Sequence, residues 1–136
     1  TLYMKKMIFK NLKDRDDLIR SIRKKKDNAL ESQLPNAPKG ATIILTGYCN
    51  LKCVHCYQNS SPDRHDSLST DEVKSILLSL SSLGAKTVAF NGGEALAWTG
   101  IYECMQLAHD LNLSITLATN GLLIHDNKIP FYIKNN

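Results

Sequence analysis

The sequence predicts an α/β fold built on a parallel sheet, and three observations predict it. Short apolar, β-branched runs of strand length recur at residues 41–46, 86–90 and 113–118. Between them, residues 69–83 and 100–111 space their apolar side chains as a helix does. Each strand-like run then gives way to a segment holding glycine, the sign of a turn. Strands joined through helices pair in parallel with right-handed crossovers, because a tight hairpin joins only antiparallel neighbours.

In chain order, residues 14–30 read as a helix with a sparse apolar side of Leu18, Ile22, Ala29 and Leu30. Pro35, Pro38 and Gly40 then mark a linker, so residues 1–40 are expected to be a basic helical lead-in outside the main fold, which occupies 41–136. The run at 41–46 is expected to be a buried strand, broken by Gly47. Ser69-Thr70-Asp71-Glu72 is a capping box, with Ser69 as N-cap and Glu72 three residues on. Val73, Ile76, Leu77, Leu80 and Leu83 follow at helical spacing, and Gly84 stops the helix. The second helix sets Ile101, Cys104, Ala108 and Leu111 on one face, where Cys104 reads as a small buried hydrophobe. After Gly121 the pattern fades: Leu122-Leu123-Ile124 could open another helix, but Asp126, Asn127 and Pro130 interrupt it.

Size and charge narrow the classes. A chain of 136 residues buries one modest core. Residues 1–40 carry 11 Lys and Arg against 5 Asp and Glu, and residues 41–136 carry 6 against 8, so a basic lead-in of net +6 precedes a region of net −2. Arg23-Lys24-Lys25-Lys26 is read as a solvated helix face rather than a nucleic-acid surface, since no aromatic residues interleave with it for stacking. No apolar run reaches membrane-spanning length and the start lacks a secretory h-region, so neither a membrane nor a nucleic-acid partner is expected. Three of the four cysteines are clustered, which fits metal ligation in a reducing cytoplasm better than a disulfide scaffold.

The cluster is Cys49, Cys53 and Cys56, a C-x3-C-x2-C run directly after the first strand, where ligands of α/β sheets usually bind. Three thiolates can hold three irons of a [4Fe–4S] cube and leave the fourth open to a small molecule, whereas a fully ligated cluster takes four cysteines. The rival ligand is zinc, completed by His55, His65 or Cys104, although no second C-x2-C or H-x3-H pair follows at finger spacing. Gly92-Gly93-Glu94 follows the second strand, and its two glycines let the backbone come close to a ligand. Thr119-Asn120-Gly121 follows the third, as ordinary turn chemistry or as part of the same site.

With these motifs in this order, each at a strand end, the sequence resembles the radical S-adenosylmethionine (radical SAM) enzymes. The resemblance rests on Cys49, Cys53, Cys56 and Tyr57, then on Asn91-Gly92-Gly93-Glu94, then on Thr119-Asn120-Gly121, and covers residues 41–125. It is nearest to the SPASM-type branch that modifies peptides or proteins. It implies a partial parallel (βα) barrel, of which the chain, opening on Thr1 rather than Met, is expected to be the N-terminal half. It also implies a [4Fe–4S] cluster on the three cysteines and SAM on its open iron. One electron splits SAM into methionine and a 5′-deoxyadenosyl radical, which takes hydrogen from a substrate, expected to be a peptide or protein. The His55 backbone, more than its ring, would touch the adenine while the ring packs beside the cluster, and Tyr57 would belong to the cofactor site as a loop aromatic that shields the cluster from water. The backbone amides of Gly92 and Gly93, with the Glu94 carboxylate, would grip the methionine ammonium, and Thr119 and Asn120 would line SAM or substrate. Ala95 stands where the family most often has proline. The implied partner is an electron donor such as flavodoxin or ferredoxin. The alternative is a non-catalytic iron–sulfur or zinc-binding half-domain that needs a partner chain.

Overall fold

A computed structural model describes residues 12–28 and 38–125. The expected helix end at Ala29 and Leu30, the linker residue Pro35 and the interruption at 126–130 lie outside the described residues. The elements run α1 (Leu12–Asn28), β1 (Gly40–Ile44), α2 (Thr70–Ser82), β2 (Thr87–Asn91), a 3-10 turn (Ala95–Ala97), α3 (Ile101–Asp110) and β3 (Ser114–Leu117). The three strands form one parallel sheet in the order β1-β2-β3, with Thr42, Ala89 and Thr116 in register across it. This is the expected α/β architecture, part of a (βα) barrel.

Local chemistry sets the element ends. At the start of α2, Glu72 N–H donates to Ser69 Oγ at 3.2 Å and Ser69 N–H donates to Glu72 Oε2 at 2.8 Å, so the capping box is complete. That backbone donor holds the Glu72 carboxyl below the usual range. The helix ends at Leu83, and Gly84 takes φ +86, a left-handed turn that glycine adopts without strain.

Packing is one-sided. Ile43, Leu45, Val88, Phe90 and Ile115 meet Val73, Leu77 and Leu80 of α2 and Ile101, Cys104, Ala108 and Leu111 of α3 in one buried cluster. Phe90, Leu45, Leu77 and Leu111 are fully enclosed, each favouring the folded state by about 1.5–3 kcal/mol through burial alone. Ile19 and Ile22 of α1 join the same cluster, and α1 lies against α2. The opposite sheet face differs from the buried strand expected at 41–46. Thr42 and Thr116 are exposed and Ile44 is 56% exposed, because among the described residues both sheet-packed helices lie on the other side. Parallel sheets ordinarily cover both faces, and in a barrel the second face looks into the lumen.

Candidate functional site

The cysteines ride on a long loop between β1 and α2 whose ends are tied together. Leu68 N–H donates to Leu45 O at 2.9 Å, and Gly47 N–H and the Thr46 hydroxyl both donate to Asp66 O, at 2.9 and 3.0 Å. Further along, Cys49 N–H donates to Ser61 O at 3.2 Å. Arg64 staples the loop: its guanidinium forks onto the Asp66 carboxylate and donates to Gln58 O at 2.9 Å. The same fork holds the Asp66 carboxyl below its ordinary range. Gly47 leaves room for this fork, since a Cβ would stand 2.5 Å from both Arg64 Nε and Asp66 Oδ1 and would push the two side chains aside.

Within this frame Cys49 is buried, Cys56 half-buried and Cys53 exposed. Two sulfurs already meet amide donors: Leu51 N–H reaches Cys49 Sγ at 3.4 Å and Ser60 N–H reaches Cys56 Sγ at 3.4 Å. Asn59 takes φ +49, a left-handed turn that asparagine tolerates, in the segment that wraps Cys56. The Ser60 amide above all, with those of Gln58 and Asn59 against the opposing effect of burial, lowers the Cys56 thiol below its ordinary value and favours the thiolate. Ser60 Oγ is buried beside the same sulfur and adds to the lowering of the Cys56 thiol, although it makes no close hydrogen bond.

The Gly92-Gly93-Glu94 turn lies against the entry to this loop. Gly93 N–H donates to Thr46 O at 2.7 Å and Glu94 N–H to Tyr48 O at 2.9 Å. A Cβ at Gly93 would stand 2.1 Å from Tyr48 O, and one at Gly92 2.8 Å from Thr46 O. The close approach these glycines permit is therefore to the chain's own backbone. Gly92 N–H is also spent, on Asn91 Oδ1 at 2.7 Å. This corrects the expected role of the amides. An N–H group cannot accept from an ammonium, and all three are already used, so an ammonium here must be met by carbonyl or carboxylate oxygens.

Glu94 has no exposure to solvent, and its carboxylate gathers donors from two loops. Oε1 accepts Leu96 N–H at 2.9 Å and the Thr119 hydroxyl at 2.7 Å, and Oε2 accepts Asn120 N–H at 2.8 Å. A carboxylate offers about four acceptor positions, and the described residues fill three of them, leaving one on Oε2 unused. The structure thus unites the second and third motifs. Asn120 Nδ2 extends the link to the first, donating to Asn50 Oδ1 at 2.8 Å and lying 3.9 Å from Cys49 Sγ.

The remaining predicted residues are placed as follows. Tyr57 is 84% exposed, and its hydroxyl accepts from Asn91 Nδ2 at 3.2 Å and Gln58 Nε2 at 2.8 Å, tying the cysteine loop to the end of β2. The His55 side chain is exposed. Lys52 pairs with Asp63 at 3.4 Å, both largely solvated. Cys104 is fully enclosed in the core, and burial pushes its thiol up to about 12. Sequence reasoning counted Asn91 in the second motif without giving it a role and passed over Asn50, Ser60 and Arg64. The one available signal was the Arg64–Asp66 charge pair inside a loop with few other anchors.

These residues fit a cluster. Three thiols sit on one pinned loop, two of them facing amide donors, as ligating sulfurs require. Among the described residues no three His, Cys, Asp or Glu side chains converge as ligands of a single ion. The thiolates of a cube bind three different irons and have no common atom to converge on. Of the zinc ligands considered, Cys104 is locked in the core away from the loop.

The sequence matches known proteins. The sequence pattern of the radical SAM superfamily matches residues 43–136, more than half of the chain. AdoMet-dependent heme synthase of Methanosarcina barkeri is 36% identical over 92 residues, covering 67% of this chain and 26% of the relative. The sporulation killing factor maturation protein SkfB of Bacillus subtilis is 30% identical over 101 residues, covering 74% and 24%. The antilisterial bacteriocin subtilosin biosynthesis protein AlbA of the same species is 33% identical over 87 residues, covering 64% and 19%. The chain spans about a quarter of the length of these curated relatives. The chain belongs to the radical SAM superfamily.

Proposed function

We propose that this chain supplies the cluster- and SAM-binding part of a radical SAM enzyme. The superfamily uses a [4Fe–4S] cluster and SAM. When bound by Cys49, Cys53 and Cys56, the cluster would supply one-electron reduction of the SAM sulfonium, the chemistry that opens its C–S bond to a 5′-deoxyadenosyl radical and methionine. Cys49, Cys53 and Cys56 hold the cluster, with the loop pinned by Arg64 and Asp66 to fix their spacing. Glu94 accepts from the methionine ammonium with its open Oε2 position. Tyr57 and His55, at the solvent side of the loop, cover the adenine end. The observation that carries this reading is the buried Glu94 carboxylate, which joins the second and third strand-end motifs, with the Asn120 side chain carrying the link on to the first.

This segment does not set the choice of substrate. Relatives of comparable identity over this segment bear names concerning heme, GTP and bacteriocin products, so likeness here travels with the cofactors. The peptide or protein substrate draws its support from SkfB and AlbA, whose names concern a killing factor and a bacteriocin. A flavodoxin- or ferredoxin-type protein in a reducing cytoplasm would supply the electron. Among the described residues no helix is long and apolar enough to cross a membrane.

Anaerobic reconstitution tests the assignment. The chain should take up about four irons and four sulfides. Cys53→Ala should abolish uptake and Cys104→Ala should leave it unchanged. Stoichiometric zinc without labile sulfide in anaerobically purified protein would overturn it.

A further inference from the structure

We infer that Asn120 is a positioning residue for the cluster, acting through Cys49: its side-chain amide bridges Asn50 and the Cys49 sulfur, and so raises the reduction potential of the iron that sulfur holds. The inference rests on the reading above, in which Cys49 is a ligand, and adds a role for a residue that otherwise reads as a turn former or as lining for SAM.

The amide is oriented by its surroundings. Asn120 Oδ1 accepts Leu122 N–H at 3.0 Å, which fixes the oxygen toward the backbone and turns the NH2 group toward the cysteine loop. There one donor has Asn50 Oδ1 at 2.8 Å, and Cys49 Sγ lies 3.9 Å from the same nitrogen, the long end of a contact to sulfur. An amide nitrogen carries two hydrogens, so both acceptors can be served. The base of the side chain is equally fixed. Asn120 N–H donates to Glu94 Oε2 at 2.8 Å, the Thr119 hydroxyl to Oε1 at 2.7 Å, and Gly121 N–H to Thr119 Oγ1 at 3.0 Å. The β3 turn is thus held on a buried carboxylate and delivers one amide to one sulfur.

The chemistry follows from what a ligating sulfur can do. A sulfur bound to iron carries no proton and only accepts. A donor aimed at it withdraws electron density from the Fe–S bond and favours the reduced cluster, which carries one more negative charge. Cys49 is the buried member of the three, so a donor reaching it is less screened by water than one at exposed Cys53. Asn50 Oδ1, the nearer acceptor at 2.8 Å, holds the amide at the long end of its reach to the sulfur, so Asn50 moderates the effect.

The test is a redox titration of the anaerobically reconstituted full chain, followed by electron paramagnetic resonance, with iron and sulfide counted in parallel. Asn120→Ala should keep its iron and shift the midpoint to more negative potential. Asn120→Asp should shift it further, because it replaces the donor with a negatively charged acceptor. Asn50→Ala should shift it the other way, by leaving the Asn120 amide to the sulfur alone. A residue that merely supports the loop would change iron content or stability without this ordering. Should Asn120→Ala fail to hold iron, the Asn50→Ala shift decides: upward supports the inference, absent or downward overturns it. An unchanged potential in a fully loaded Asn120→Ala chain overturns the inference and leaves the proposed function intact. A wild-type chain that forms no cluster overturns both.

Discussion

At the scale of single residues, burial separates groups that the sequence presents alike. Glu94 and the surface carboxylates are the same chemical group, yet Glu94 is enclosed and accepts three donors, and so acts as a strut before it acts on any ligand. Glu94→Gln replaces one acceptor with an NH2 group that must face Leu96 N–H and the Thr119 hydroxyl, or Asn120 N–H. An unsatisfied buried donor costs about 1–3 kcal/mol. The expected result is a lower midpoint in urea unfolding together with weaker SAM binding. Weaker binding at unchanged stability would show that the carboxylate serves the ligand alone.

The cysteines divide in the same way. Amides lower the Cys56 thiol, whereas burial pushes Cys104 up to about 12. A thiol whose folded value lies above its unfolded value of about 8.5 keeps the proton longer in the folded chain. Its contribution to stability is complete below the unfolded value and is lost as pH rises toward the folded one. Stability should therefore fall between about pH 8.5 and about 12, and less steeply in Cys104→Ala, as measured by urea unfolding across that range. Equal slopes in the two proteins would contradict the burial assigned to Cys104.

At the scale of elements, the site is made where strands stop. β1 and β2 continue their approach beyond the regular ladder, through Gly93 N–H on Thr46 O and Glu94 N–H on Tyr48 O, and that continuation sets the Gly-Gly-Glu turn against the cysteine loop. Gly93→Ala would place a Cβ 2.1 Å from Tyr48 O, a backbone atom that cannot swing aside. Forcing the two segments apart should cost about 1–3 kcal/mol. It should also lower iron retention after gel filtration, because the loop loses its backing. Gly84→Ala is the control: its Cβ meets nothing within 4 Å, and its strain at φ +86 falls at the end of α2, so stability should drop while iron stays. Iron lost equally in both variants would mean that general instability, not the β2 turn, governs the cluster.

At the scale of the whole molecule, the described sheet has three strands, with helices on one face and Thr42, Ile44 and Thr116 open on the other. A site at the rim of such a sheet admits water on its uncovered side, and water weakens each polar contact made there. The reconstituted chain, given dithionite and SAM without oxygen, should release 5′-deoxyadenosine slowly and without modifying a substrate. Fast cleavage coupled to substrate modification by this chain alone would show that no further covering is required.

The order of elements, the capping box at Ser69 and Glu72 and the place of the three motifs at strand ends were legible in the sequence, because each is written in neighbouring residues: a period, a cap or a run of ligand types. Tertiary structure alone decided the rest. It buried Cys49 and exposed Cys53 four residues on, left Ile44 bare on the open face, and set Ile19 of α1 in the core. It turned the two glycines toward the backbone of Thr46 and Tyr48, and brought Glu94, Thr119, Asn120 and Asn50 into one hydrogen-bonded line. The physical reason is distance along the chain. A hydrogen bond between residues 50 and 120 depends on the register of three strands and the packing of two helices, and no local pattern of residues encodes that sum.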